Sequence, residues 1–198
     1  MYSEYNIIPL GDHCAIPIIL KELNLRKCSY PFDWVTMVPQ VVNTNIFYNV
    51  TLLHELYKTD QIDSLTRKFI GNAFNNTKKM NTTTKIWFPH DNGKKADLLE
   101  KYKRRFFRLK HDLPKKNIFV LLTRHYHIDE PTFTRMTESL LQYNKESILL
   151  FISGTPHTYA DNPRVIFKYI EYDISKFYDY DAIFRKEIKD FLSHLFLT

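Results

Sequence analysis

Asn117-Ile-Phe-Val-Leu-Leu-Thr123 and Ser147-Ile-Leu-Leu-Phe-Ile152 decide the fold of this chain. Each is a short, unbroken apolar run bounded by polar residues. Such a run is too short for a helix buried on all sides, and it lacks the alternation of a half-exposed strand. It fits a strand covered on both faces, as in a parallel sheet. Between the two runs, Pro131 to Tyr143 reads as a helix, with proline accommodated in its first turn.

Working outward, Val165 to Ile170 reads as a further strand and Asp181 to Leu197 as a closing amphipathic helix. Upstream, Tyr5 to Leu10 is a short first strand. Ala15 to Leu25 carries apolar residues at 16, 19, 20 and 23, one face of a helix. After a loop over 26–37 come helices over Gln40 to Tyr48, Leu52 to Tyr57 and Gln61 to Phe74, the last with Asp60 as its N-cap. Lys85-Ile-Trp-Phe88 is a second short strand, and Ala96 to Leu109 a basic helix with an apolar stripe. This alternation predicts an α/β fold: a mostly parallel, Rossmann-like sheet of about five strands with helices on both faces. It predicts one domain over residues 1–198, with a helical insertion over about 38–74 after the first strand.

Composition narrows the function. With only 4 Gly in 198 residues, the chain has no glycine-rich phosphate loop. Two cysteines, Cys14 and Cys28, do not make a disulfide framework. The polar N-terminus and the lack of a long apolar run predict a soluble protein of a reducing compartment, with no membrane partner. The expected location is the cytoplasm, or the host cytoplasm if the source is a virus. The abundance of Lys, Asn, Ile, Tyr and Phe suggests an AT-rich genome. A net charge of +6 leaves a polyanion as a partner to consider beside an ordinary solvated basic surface.

In open α/β sheets, ligands bind outside the carboxyl ends of the strands. Asp12, His13 and Cys14 follow the first proposed strand; His90 and Asp91 follow the second. Arg124, His125 and His127 follow the third, and His157 the fourth. Five of the 8 histidines fall at these ends, which predicts a polar site along that edge. A cysteine nucleophile needs a thiolate, a base and a group that orients the base. Cys14 sits at a strand-to-helix turn, where a helix N-terminus favours the thiolate. His90 is the preferred base, with Asp12 or Asp33 as the orienting carboxylate. Asp91 is less suited to that role, because consecutive side chains on an extended strand diverge.

Other features have quieter readings. His125 and His127 could project to one side of an extended segment as metal ligands, but no accompanying zinc motif is present, so neither metal nor cofactor is expected. Arg124 could hold an anionic group of a substrate, with Asp12, His13, His127 and His157 as further contacts. Arg104 and Arg108 share a helix face with Arg105 nearby; core aromatics under a solvated basic face explain that pattern. Phe32 and Trp34 are expected to anchor a loop. Asp33 between them is expected near the site edge or as a helix N-cap.

Ile8-Pro-Leu-Gly-Asp-His-Cys14, the helix running to Leu25-Arg26, and Ser29-Tyr-Pro-Phe-Asp-Trp34 together resemble a family of unknown function. That family is described as putative papain-like cysteine peptidases and is found in bacteria and large DNA viruses. Its Phe-x-His-Asp element is matched by Phe88-Pro-His-Asp91. Its basic helix is matched by Arg104-Arg105-Phe-Phe-Arg108, without the final Phe of the family pattern. The resemblance is closest over 7–35 and 86–91, looser over 100–125 and weak beyond. It implies Cys14 and His90 as a catalytic pair, with Asp91 or Asp33 as the acidic partner. It also implies a papain-like α+β fold, with the cysteine on a helix and the histidine on an antiparallel sheet. The alternating pattern makes that fold the less favoured alternative. The family's company with polysaccharide genes implies a glycan or its acyl substituents as one substrate class, and a peptide or isopeptide bond as another.

These readings lead to a cysteine-dependent hydrolase or acyl-transfer enzyme acting on a glycan, acyl ester or peptide at the strand ends. The alternative is a non-catalytic module that binds a sugar-phosphate, glycan or nucleic acid through the basic face.

Overall fold

The computed structural model describes residues 2–11, 13–37, 42–74, 79–124, 126–158, 162–171 and 177–197. Among these residues the chain runs β1 (Asn6–Pro9), α1 (Ala15–Glu22), β2 (Thr36–Met37), α2 (Val42–Lys58), α3 (Ile62–Ile70) and β3 (Ile86–Trp87). It continues with α4 (Lys95–Asp112), β4 (Asn117–Thr123), α5 (Glu130–Leu141), β5 (Ile148–Ser153), β6 (Val165–Tyr169) and α6 (Phe177–Leu197). The main sheet is parallel, in the order β1-β4-β5-β6. Its two central strands are the two apolar runs that open the sequence reading. All seven residues of β4 are buried.

Burial on both faces explains the missing alternation in those runs. Ile118, Val120, Leu122, Leu150 and Ile152 pack with Ile16, Ile19 and Leu20 of α1 and with Phe184, Ile188 and Leu192 of α6. Phe119, Leu121, Leu149 and Phe151 belong to a larger core with side chains of α2, α3, α4 and α5, among them Leu53, Phe69, Phe106 and Met136. Neighbouring residues of one strand thus serve different layers, as the two-residue period of a strand requires. No helix of the described residues is long and apolar enough to cross a membrane.

The sheet corrects the expected topology in one respect. The Lys85–Phe88 segment does form a strand, but it is not part of the main sheet. It pairs antiparallel with β2 in a separate two-stranded ribbon, Thr36 opposite Trp87 and Met37 opposite Ile86. Among the described residues the parallel sheet therefore has four strands, against an expectation of about five. Its strand order advances in one direction, without the reversal of a Rossmann sheet. Two-residue strands carry too little sequence pattern to reveal their partners.

Two smaller expectations also change. The helices expected over 40–48 and 52–57 are one continuous helix, α2. The N-cap of α3 is Gln61, not Asp60; Asp60 instead forms an ion pair with Lys110.

Phe69 of α3 sits at the centre of an aromatic cluster that fixes two loops. Its ring meets Phe32, Phe88 and Phe106 edge-on, at centroid distances of 5.6, 5.6 and 5.4 Å. Such pairs contribute about 0.5–1.5 kcal/mol each beyond the area they bury. Phe32 and Phe88 are wholly buried. Each lies two residues before a side chain of the candidate site: Trp34 and His90.

Candidate active site

Cys14 reaches its position through a turn that the local sequence imposes. Leu10 N–H still bonds the Val120 carbonyl at 3.0 Å, so the chain leaves the sheet only after Leu10. The Leu10 carbonyl accepts a bond of 2.8 Å from the buried Asn49 amide of α2. Gly11 then takes φ +106°, a backbone conformation that disfavours any side chain. Cys14 becomes the N-cap of α1. Its neighbours in the first turn are Ala15 and Ile16, whose N–H groups have no carbonyl to bond within the helix, and Pro17, which has no N–H. Cys14 is 7% exposed, and neither it nor Cys28 is in a disulfide. Cys28 packs against the larger core, partly buried.

His90 arrives from the β2–β3 ribbon. Phe88 N–H bonds the Lys79 carbonyl at 2.8 Å, and Asp91 N–H bonds the Phe88 carbonyl at 3.3 Å, closing a turn around Pro89 and His90. The imidazole Nε2 lies 3.3 Å from Cys14 Sγ, a contact between residues 76 positions apart. The structure thus brings together the cysteine and histidine singled out in the sequence. Trp34 packs edge-on against the His90 ring at 5.5 Å.

The two carboxylates expected beside His90 are engaged elsewhere. Asp91 is buried, pairs with Lys101 and accepts a 2.6 Å bond from the Tyr102 hydroxyl. Burial and the Asp91 carboxylate hold the Tyr102 phenol well above its ordinary pKa, so it stays a donor. Asp91 thereby ties the His90 turn to α4 instead of touching the imidazole. Asp33 is also buried, and burial raises its carboxyl pKa against the opposing pull of Arg26. Its Oδ2 accepts from Arg26 at 2.7 Å and from the Tyr30 N–H at 3.1 Å. No helix follows Trp34, so Asp33 is not an N-cap; β2 begins there instead.

The Arg26 guanidinium lies 4.9 Å over the Trp34 ring. Asp33, Arg26, Trp34 and His90 therefore form a stacked chain that ends on the imidazole. Sequence reasoning gives Trp34 an anchoring role and places Arg26 beside Cys28 and in the family pattern, but not beside His90. The spacing Arg26…Asp33-Trp34 was the available signal. Among the described residues, no carboxylate reaches His90. Asp12, the remaining candidate, lies outside the described residues, as does His125.

His13 is held neutral: burial, with the nearby charges of Arg124, Arg185 and His90 adding, lowers its pKa to about 3. Arg124, at the end of β4, is buried beside it. Arg185 comes from α6, a contributor no local motif announced.

His127 and His157 form a cluster of their own. They stack on each other at 4.7 Å, nearly parallel at 16°. His157 Nε2 lies 2.9 Å from Ser153 Oγ and 3.1 Å from Thr155 Oγ1. Burial and His127 lower its pKa to about 4. Among the described residues, no group of three His, Cys, Asp or Glu side chains is placed to hold a metal ion.

Chemically, the arrangement offers a thiol at a helix start with an imidazole nitrogen in proton-transfer range. Comparison with known proteins adds one finding: residues 5–149 match a family model described as "Putative papain-like cysteine peptidase (DUF1796)". No curated protein and no solved structure matches the chain.

Proposed function

The chain belongs to the putative papain-like cysteine peptidase family, and from that premise we propose that it is a cysteine-dependent hydrolase or acyl-transfer enzyme, with Cys14 as nucleophile and His90 as general base. The observation that carries this reading is the 3.3 Å contact between Cys14 Sγ and His90 Nε2. The placement of the pair also suits the family: the cysteine begins a helix and the histidine follows an antiparallel ribbon, although the main sheet is parallel.

In the proposed reaction His90 Nε2 takes the Cys14 proton, and the thiolate attacks the acyl carbon of an ester or amide. The first-turn N–H groups of α1, at Ala15 and Ile16, face the charge that develops on the acyl oxygen. The imidazolium returns its proton to the departing oxygen or nitrogen. Water, deprotonated by His90, or an acceptor hydroxyl then cleaves the thioester and restores the thiol. No carboxylate is assigned to orient His90. Trp34 and the Asp91 anchor position it instead, with Arg26 and Asp33 supporting Trp34. A glycan acyl ester and a peptide bond are both substrates of this chemistry. Arg124 is assigned to an anionic group of the substrate.

The test uses p-nitrophenyl acetate, with quenching and mass spectrometry to locate the acetyl group. The expected result is acetylation of Cys14, with the rate reduced about 100-fold or more in His90→Gln, the usual scale of a lost general base. Acetylation confined to Cys28 or lysines, or an unchanged rate in His90→Gln, overturns the reading.

A further inference from the structure

The outer face of α4 bears a second, unrelated feature. Glu100, Lys103, Arg104, Phe107 and Arg108, with Ile62 at the start of α3, line a cleft of about 370 Å³. That size falls within the range of small-ligand sites, about 300–1,000 Å³. Its most unusual member is Phe107, 65% exposed, next to the wholly buried Phe106. Phe106 serves the core; Phe107 does not. It lies three residues after Arg104 and four after Lys103, so these side chains share one side of the helix.

The charges around the ring are unbalanced. Lys103 is paired with Asp63 at 2.8 Å. Arg108 gives one N–H to the Ser29 carbonyl at 2.6 Å, a neutral acceptor that leaves its charge uncompensated. Arg104 has no acidic partner among the described residues, and Glu100, the one carboxylate lining the cleft, forms no ion pair with it. Two guanidinium groups one helical turn apart thus flank an exposed aromatic face. Guanidinium groups bind phosphate through paired N–H donors, and an exposed aromatic ring offers a stacking surface for a planar base.

We propose that this cleft binds a nucleoside phosphate, with the base against Phe107 and Ile62 and the phosphate on Arg104 and Arg108. Phosphate alone would leave the apolar surface of Phe107 and Ile62 unused. An extended nucleic acid is the competing occupant, and the oligothymidylate competitor distinguishes it. The proposal is independent of the role of Cys14.

The test titrates the full chain with N-methylanthraniloyl-ADP, read by fluorescence anisotropy at low salt, with unlabelled ADP, inorganic pyrophosphate and an oligothymidylate as competitors. Phe107→Ala and Arg104→Gln replace exposed side chains and are checked for unchanged circular dichroism. The expected result is saturable binding that each substitution weakens about tenfold or more, roughly the loss of one stacking contact or one charged hydrogen bond. ADP displaces the probe more effectively than pyrophosphate. The proposal is overturned by any of four results: no saturable binding; variants that bind as the parent does; pyrophosphate competing as well as ADP; or displacement by the oligothymidylate with none by ADP.

Discussion

At the ends of β1 and β4, Cys14 meets an imidazole delivered by a separate ribbon; at the ends of β4 and β5, His157 meets Ser153 within four residues of its own chain. Both places pair a histidine with a potential nucleophile at hydrogen-bond distance, and both lie on the carboxyl edge of one sheet. The difference is in what else each nucleophile touches. Ser153 is wholly buried in its strand, and its Oγ also meets Thr123 Oγ1 at 3.1 Å, Thr155 Oγ1 at 3.2 Å and the Thr155 N–H at 3.1 Å. That hydroxyl is already saturated with neighbours, and no substrate can reach it. Cys14 stands at a helix start on a glycine turn, against an imidazole that is itself exposed. Proximity of a histidine to a nucleophile is thus insufficient; position at the exit of the strand separates the two cases.

The comparison breaks most sharply under substitution of the two candidate nucleophiles. Cys14→Ala is expected to abolish acetyl transfer from p-nitrophenyl acetate, a loss above about 1,000-fold, on the scale of losing a nucleophile. Ser153→Ala is expected to leave the rate within about twofold. Equal losses in the two variants would mean that the His157 cluster takes part in the chemistry.

The next largest effect concerns the carboxylates beside each histidine. Asp91 is buried and joins the His90 turn to α4, so Asp91→Ala strands the Tyr102 hydroxyl and the Lys101 ammonium. Removing one partner of a buried pair costs about 3–5 kcal/mol, and the partial exposure of Lys101 places the expected loss near the lower end. Asp129, on the His127 side, is an exposed N-cap of α5, accepting from Thr132 N–H at 2.9 Å. Asp129→Ala is expected to cost about 1 kcal/mol. Urea unfolding midpoints of the two variants measure the contrast, and a smaller loss for Asp91→Ala than for Asp129→Ala would contradict the anchoring role.

The third contrast is a pH dependence. His157 titrates at about 4 in the folded chain, below the ordinary histidine value of about 6.5 that applies when unfolded. Between these values the unfolded state binds more protons, so the stabilising contribution is complete above about pH 6.5 and is lost as pH falls toward 4. His157→Gln is expected to flatten the fall of the urea midpoint over that window. His13, lowered to about 3, acts in the same direction at the other end, so His13→Gln flattens it too and over a slightly wider window. A variant profile parallel to the parent's would contradict this assignment.

Much of this was legible in particular residues. The unbroken apolar runs at 118–122 and 148–152 announced strands buried on both faces, and their parallel pairing followed. The Gly11 turn and the histidine after Phe88 were visible as punctuation after apolar segments. Less visible was the ribbon: Thr36-Met37 and Ile86-Trp87 pair over only two residues each, and long-range pairing of so short a segment leaves no periodicity. The carboxylates failed for a related reason. The sequence showed Asp33 and Asp91 near the site but not that Arg26, Tyr102 and Lys101 would capture them, since those contacts depend on how α4 and the 26–34 loop pack. Asn49, which holds the end of β1, falls between two helices expected from the sequence, and nothing local marks its contact with Leu10.

The central claim, that Cys14 and His90 work as a proton-exchanging pair, is tested most directly by the thiolate titration of Cys14. The measurement uses Cys28→Ser protein, with the pH dependence of iodoacetamide alkylation as the readout, in the presence and absence of His90→Gln. The account predicts a thiolate forming well below the ordinary value of about 8.5, and a shift upward when His90 is replaced. A thiol that titrates near about 8.5 in both proteins would contradict it.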